Sequence, residues 1–200
     1  MAQHEVTFPI TDPAEILKLQ AGDEVTVQGH IIGIRDRTQI RIFDQGVEPP
    51  MDLSGAFLLH TAPNVRKVSE DAEGRGTYEK ICIGTTTSAR MVRFTEPLGR
   101  DYGVRAICGK GGLPDEAIEP MKKHGMVYFA IVGGAAALET TQIEEIEEVL
   151  WEELMPECLW KFRVKDFGPL TVGIDAHGNS LYHDVQAQAQ EKLKELYARL

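Results

Sequence analysis

Four consecutive hydroxyl residues, Thr85-Thr86-Thr87-Ser88, lie between Gly84 and Arg90. The apolar run Ile81, Cys82 and Ile83 precedes them, and Met91, Phe94 and Leu98 follow at helical spacing, so the hydroxyls fall at a strand-to-helix turn. Hydroxyls and free backbone N–H groups converge at such a turn. The helix start favours an anion, and Arg90, one turn in, adds a two-pronged contact to a carboxylate or phosphate. A Ser/Thr-rich helix cap is the alternative reading of the same residues. A second turn, Ile107-Cys108-Gly109-Lys110-Gly111-Gly112, repeats the layout and places the mobile charge of Lys110 among glycines that let a ligand approach the backbone. It is not a phosphate-binding P-loop, because Gly111 follows Lys110 where Ser or Thr is required. A third turn, Val132-Gly133-Gly134-Ala135, closes the apolar run from Met126. In a parallel sheet, three strand ends of this kind lie at one edge.

The elements that must hold these turns read as α/β, with strands alternating with helices. A strand is predicted at Val6 to Ile10, then a short helix from Thr11-Asp12-Pro13 to Leu19. Glu24 to Ile31 alternates like a half-buried strand and runs on through Ile34 to Arg35 and Asp36. Phe57 to His60 is another strand, and the charged segment from Pro63 to Tyr78 is a loop or small hairpin. His60 reads as a structural histidine. In the acidic segment from Glu139 to Glu153, Ile143, Ile146, Leu150 and then Leu154 recur at helical spacing while Glu144, Glu145, Glu147, Glu148, Glu152 and Glu153 take the other positions, which predicts a helix with a solvated acidic face. Two strands follow, Leu159 to Val164 and Leu170 to Ile174, with His177-Gly178-Asn179 as a turn. The chain ends in a helix over 183–200 on which Val185, Ala189, Leu193, Leu196 and Leu200 form one stripe.

A chain of 200 residues with 42% hydrophobic content can bury the core of one domain. The formal net charge of −10 argues against a nucleic-acid partner or an anionic membrane surface, both of which need a basic field. No apolar run approaches the ~18 residues of a membrane span, and the first residues lack the pattern of a signal peptide, so a cytoplasmic protein is expected. Cys82, Cys108 and Cys158 include no Cys-x-x-Cys pair and read as free thiols, not as a disulfide framework or a self-contained zinc or iron–sulfur site.

The Gly84-to-Met91 turn, the Gly109-Lys110-Gly111-Gly112 turn, Gly133-Gly134-Ala135, and the tail Trp160-Lys161-x-x-Val164-Lys165-Asp166-Phe167-Gly168-Pro169 with Ile174-Asp175-x-x-Gly178-Asn179 together resemble the class I, iron–sulfur-dependent fumarases and L-tartrate dehydratases. More narrowly, the chain resembles their beta subunit, equivalent to the C-terminal domain of the single-chain enzymes, from about Leu19 to Tyr182. The resemblance implies a compact swivelling-type β/β/α domain with a mixed sheet. It also implies reversible hydration of a C4 dicarboxylate, fumarate/malate or L-tartrate/oxaloacetate, with Thr86 as the base and Arg35, Arg90 and Lys110 binding carboxylates. The [4Fe–4S] cluster is then bound by a partner alpha subunit in an α2β2 assembly, since the three clustered cysteines such a site requires are not offered here. Gln39 stands where the family usually has a histidine, and Thr85 where it usually has proline. Ala89 stands at a position commonly Gly in fumarases and larger in tartrate dehydratases. The segment from Ile143 to Trp151 and Phe167-Gly168-Pro169-Leu170 lean towards the tartrate dehydratase branch, with mesaconate as a further substrate candidate. The competing readings are a non-catalytic dicarboxylate-sensing or regulatory domain and a phosphate-ligand enzyme working alone through Thr86 and Lys110.

Overall fold

A computed structural model describes residues 1–198, and Leu200 of the predicted helical stripe lies outside them. In chain order the elements are β1 (Gln3–Phe8), α1 (Ala14–Leu17), β2 (Glu24–Ile34), α2 (Asp36–Phe43), β3 (Phe57–His60), β4 (Asn64–Glu70), β5 (Gly76–Cys82), α3 (Thr95–Tyr102), β6 (Ala106–Gly109), α4 (Ile118–His124), β7 (Val127–Ala130), β8 (Ile143–Leu150), β9 (Leu159–Ile174) and α5 (Leu181–Tyr197), with short 3-10 helices between them. Seven strands form one mixed sheet in the order β1-β2-β3-β6-β7-β9-β8, and β2 also pairs with β9. That extra pairing closes the path β2-β3-β6-β7-β9 back onto β2, a barrel-like ring that leaves fewer open edges.

The short central strands are apolar throughout because both of their faces are buried. Alternate residues sort between two cores: Phe57, Leu59, Ala106, Cys108, Val127 and Phe129 fill the inside with Trp160, Phe162 and Phe167, while Leu58, Ile107 and Tyr128 face Phe94, Leu98 and Met121 of the helical layer. His60, next in register after Leu58, shares that outer face. β2, β3, β6 and β7 run parallel, so Arg35, Thr61, Lys110 and Gly133 all follow strand ends at one edge of the sheet. Ligands of open α/β sheets gather at that edge.

Four expectations change. The segment from Glu139 to Glu153 is not one helix: it is a 3-10 helix (Ala135–Gln142) followed by β8. β8 pairs with β9 through register shifts between Ile143 and Glu145 and between Ile146 and Glu148. Each bulge consumes an extra residue, so Ile143, Ile146 and Val149 point inward at a spacing of three that imitates a helix. The glutamates pair instead with the neighbouring strand, Glu145 with Arg163 at 2.8 Å and Glu147 with Lys161 at 3.5 Å. The two predicted C-terminal strands are one long strand, β9, bent at Asp166 and Gly168, where φ is positive. The run Ile81–Ile83 does not end a sheet strand, because β5 pairs with β4 in a separate polar hairpin and Ile81 is exposed. The strand expected to run on to Arg35 and Asp36 ends at Ile34, and Asp36 starts the helix α2, which buries Thr38, Gln39 and Ile42.

α5 begins at Leu181, and none of its residues is buried; Val185, Leu193 and Leu196 are exposed. Its first turn is held by the Tyr182 ring, which lies against Gly112 and Gly173, where a Cβ would come within 3.0 Å of the ring and 2.9 Å of the hydroxyl. Among the described residues, no helix is long and apolar enough to cross a membrane.

Candidate functional site

The hydroxyl turn arrives from the hairpin and lies across the sheet edge. Short bridges join Thr85 to Thr61 in antiparallel fashion and Thr87 to Lys110 in parallel fashion. Gly84 enters the turn at φ +60°, where a Cβ would strike the carbonyl oxygen of Ala62, so the path demands glycine. The backbone of Thr86 is pinned on both sides: its N–H donates to the His60 carbonyl at 2.9 Å, and its carbonyl accepts from Lys110 N–H at 3.2 Å.

Three of the four predicted site residues are joined through one carboxylate. Arg90 Nη2 donates to Thr86 Oγ1 at 3.2 Å and to Asp36 Oδ2 at 3.0 Å, and Arg35 Nε donates to the same Asp36 oxygen at 3.3 Å. Arg35 also lies 3.8 Å from Glu157, whose other oxygen accepts from Arg37 N–H at 2.9 Å. Burial pushes the Asp36 carboxyl up, but the hydrogen bond and charge of Arg90, with the hydrogen bond from Arg35, outweigh it and hold it below the usual carboxylate range. Asp36 therefore stays ionised and keeps two arginines at one place. Among the described residues, Arg90 Nε and Nη1 have no partner and are each left to donate to a ligand. The Arg90 side chain is 47% exposed and that of Asp36 30%, while Thr86 is 7% exposed.

Lys110, the fourth predicted residue, enters by its backbone. Its carbonyl accepts from Ser88 N–H at 3.0 Å, and its side-chain stem runs over Gly133, where a Cβ would lie 2.9 Å from Cδ. The third glycine turn thus makes room for the lysine. No carboxylate among the described residues lies within ion-pair distance of Lys110.

The helix-cap alternative has no support in the geometry. Ser88 starts the 3-10 helix Ala89–Phe94 without a side-chain cap bond, and its Oγ bonds inward to His60 Nδ1 at 2.9 Å. Asp36 and Glu157 were not singled out as site residues from sequence. Asp36 carried a signal in its adjacency to Arg35, whereas Glu157 is distant in the chain and carried none. Gln39 is fully buried against Met91, its Nε2 3.0 Å from Sδ, and its Oε1 has no partner among the described residues.

His60 is 1% exposed, and burial pushes its imidazole down to about 3, with Asp36 pulling up and Arg90 pushing further down. A neutral native imidazole cannot take the proton that the unfolded chain binds below about 6.5. Its contribution to stability is therefore complete above pH 6.5 and is lost as pH falls through that value towards 3. Denaturant unfolding at pH 8 and pH 5 should show a loss of about 2 kcal/mol from this residue, absent in His60→Asn. Equal pH dependence in both proteins would refute a buried neutral His60.

The cysteines do not fit an iron–sulfur cluster. Cys108 and Cys158 are buried, Cys82 lies on the hairpin strand β5, and the three do not converge on one site. Among the described residues, no group of three or more His, Cys, Asp and Glu side chains converges on a metal-sized site.

A closed mixed-sheet α/β domain that presents a threonine and three cations at one sheet edge is thus the class of protein in hand. The chain belongs to the Fumarase C-terminus family, whose profile matches residues 3–185. It is 36% identical over 197 residues to a Methanocaldococcus jannaschii protein provisionally named an L(+)-tartrate dehydratase beta subunit, covering 96% of this chain and 98% of that one. It is 38% identical over 177 residues to the L(+)-tartrate dehydratase beta subunit of Escherichia coli K12, covering 88% and 85%. A provisionally named class I fumarate hydratase of Geobacillus stearothermophilus is 36% identical over 188 residues, which span 94% of this chain and 35% of that longer protein.

Proposed function

We propose that the chain, as one domain, is the beta subunit of a cytoplasmic hydro-lyase that reversibly adds water across the double bond of a C4 dicarboxylate. The observation that carries this reading is the Asp36-centred array, in which Arg35 and Arg90 share one carboxylate oxygen and Arg90 also reaches Thr86 Oγ1. In the dehydration direction, Thr86 takes the proton from the carbon beside a carboxylate. The electron pair left behind becomes the double bond as the hydroxyl departs with its own pair. Arg35, Arg90 and Lys110 bind the carboxylates and oppose the negative charge that builds after proton loss. A neutral threonine hydroxyl is a poor base, so Thr86 must first give up its own proton; the alkoxide is strong but scarcely populated in water, and Arg90 at 3.2 Å is the group that stabilises it.

The partner is an alpha subunit that carries the [4Fe–4S] cluster, which this chain's thiols do not fit, in an α2β2 assembly. Support for a second chain comes from the surface beside the site. Val132, adjoining the Gly133 turn over which Lys110 lies, and Leu138 are each 73% exposed, and Ile81 on the hairpin is 60% exposed. Large apolar side chains exposed next to half-open cations suit a face sealed by another subunit. The names of the relatives make L-tartrate and fumarate/malate the first substrates to test.

The test is assay of the complex with the partner chain over a panel of fumarate, malate, L-tartrate and mesaconate. Turnover of at least one C4 member is expected. Tight binding of a dicarboxylate without turnover of any would replace the enzyme reading with a sensing domain.

A further inference from the structure

Below the hydroxyl turn lies a buried polar cluster whose side chains do not touch the reacting groups. Tyr128, on β7, donates its hydroxyl proton to the Gly109 carbonyl at 2.7 Å and lies 3.1 Å from Ser88 Oγ. Ser88 Oγ is 2.9 Å from His60 Nδ1, on β3. Ser88 and Tyr128 are wholly buried, and His60 almost so. With the Tyr128 proton on the Gly109 carbonyl, the Ser88 proton points to the Tyr128 oxygen and a neutral His60 donates Nδ1–H to Ser88 Oγ, which completes the chain of hydrogen bonds. Gly109 has no room for anything larger: a Cβ there would strike Ser88 Oγ and lie 3.2 Å from His60 Cβ and 3.3 Å from the Thr86 carbonyl. Three strand ends and the hydroxyl turn meet at this point, and the same short stretch carries the backbone bonds of Thr86, Ser88 and Lys110.

We infer that His60, Ser88 and Tyr128 form a buried clamp that positions Thr86 and Lys110 against each other, and are positioning residues for the reaction. The argument is geometric. Thr86 is held by its neighbours' main chain, and that main chain is held by the clamp: His60 supplies the carbonyl that binds Thr86 N–H, and Ser88 and Gly109 flank the bridge between Thr87 and Lys110. Burial makes each bond costly to break, since a group left without its partner also loses water. A loosened turn would move Thr86 Oγ relative to Arg90, and small displacements of a reacting group lower rate more than binding. The effect on turnover rests on the hydro-lyase reading; the effect on the turn does not.

The experiment is amide hydrogen exchange, read by NMR on the full chain, at Thr86, Ser88 and Lys110. Ser88→Ala and Tyr128→Phe should each speed exchange at these amides by about tenfold, while Leu58 and Ile107 in the adjoining strands stay protected. His60→Asn keeps a polar atom where Nδ1 stood, and His60→Leu keeps the volume but not the bond. The clamp predicts protection close to wild type in the first and lost in the second. Equal protection in both, or no change in Ser88→Ala and Tyr128→Phe, would overturn it. In the complex with the partner chain, the same three disruptive variants should lower kcat about tenfold with KM little changed. A wild-type complex without turnover would refute the hydro-lyase reading and leave the exchange rates to judge the clamp.

Discussion

Thr86→Ala is expected to lower kcat by at least ~10²-fold in the assembled enzyme, with KM close to wild type. A base contributes as the proton moves, so its loss is felt in the transition state and hardly in binding. The substitution is also structurally mild. The turn is held through the Thr86 backbone, by the His60 carbonyl and Lys110 N–H, and among the described residues the only side-chain bond lost is the one accepted from Arg90. A folded variant with unaltered denaturation and kcat near normal would remove the base assignment.

Arg90→Lys should act in the opposite sense, raising KM by about tenfold or more while kcat falls less. A carboxylate clamp works on substrate and transition state alike, and a lysine keeps the charge but loses the planar fork. Arg90 Nη2 already serves Asp36 and Thr86, and Nε and Nη1, on opposite edges of the guanidinium, are each left for a separate contact. Lysine has a single nitrogen for all three partners. Steady-state kinetics of the variant decides the matter: a kcat loss as large as that of Thr86→Ala at unchanged KM would make Arg90 part of the proton-transfer machinery and not a binding group.

The parts of the fold legible in sequence are those with one dominant local signal. β2, β3 and the helical residues after Ser88 follow alternation or periodicity, and they lie where those patterns put them. The acidic segment misled because two bulges in β8 give a strand a spacing of three, and the bulges are imposed by β9, a strand still to come in the chain. The closure of β2 onto β9 is likewise invisible locally, since it depends on which edge of β2 remains after β1 and β3 have paired. In the site, Thr86 and Arg90 are four residues apart and could be read as neighbours. Asp36 as their hub, Glu157 behind Arg35, and Tyr128 beneath Ser88 come from distant elements, and only the assembled sheet edge brings them together. The exposed stripe of α5 shows the reverse case, a pattern typical of a packed helix on a helix whose residues from Val185 onward are exposed among those described.

The central claim is that this chain is one half of a hydro-lyase, supplying the base and the carboxylate-binding cations. The most direct measurement is hydro-lyase turnover in an anaerobic titration of the alpha chain into a fixed amount of this chain, with each chain also assayed alone. The account predicts no turnover from either chain by itself and activity that rises to saturation at equal amounts of the two. Turnover by this chain alone, after metal removal, would contradict it.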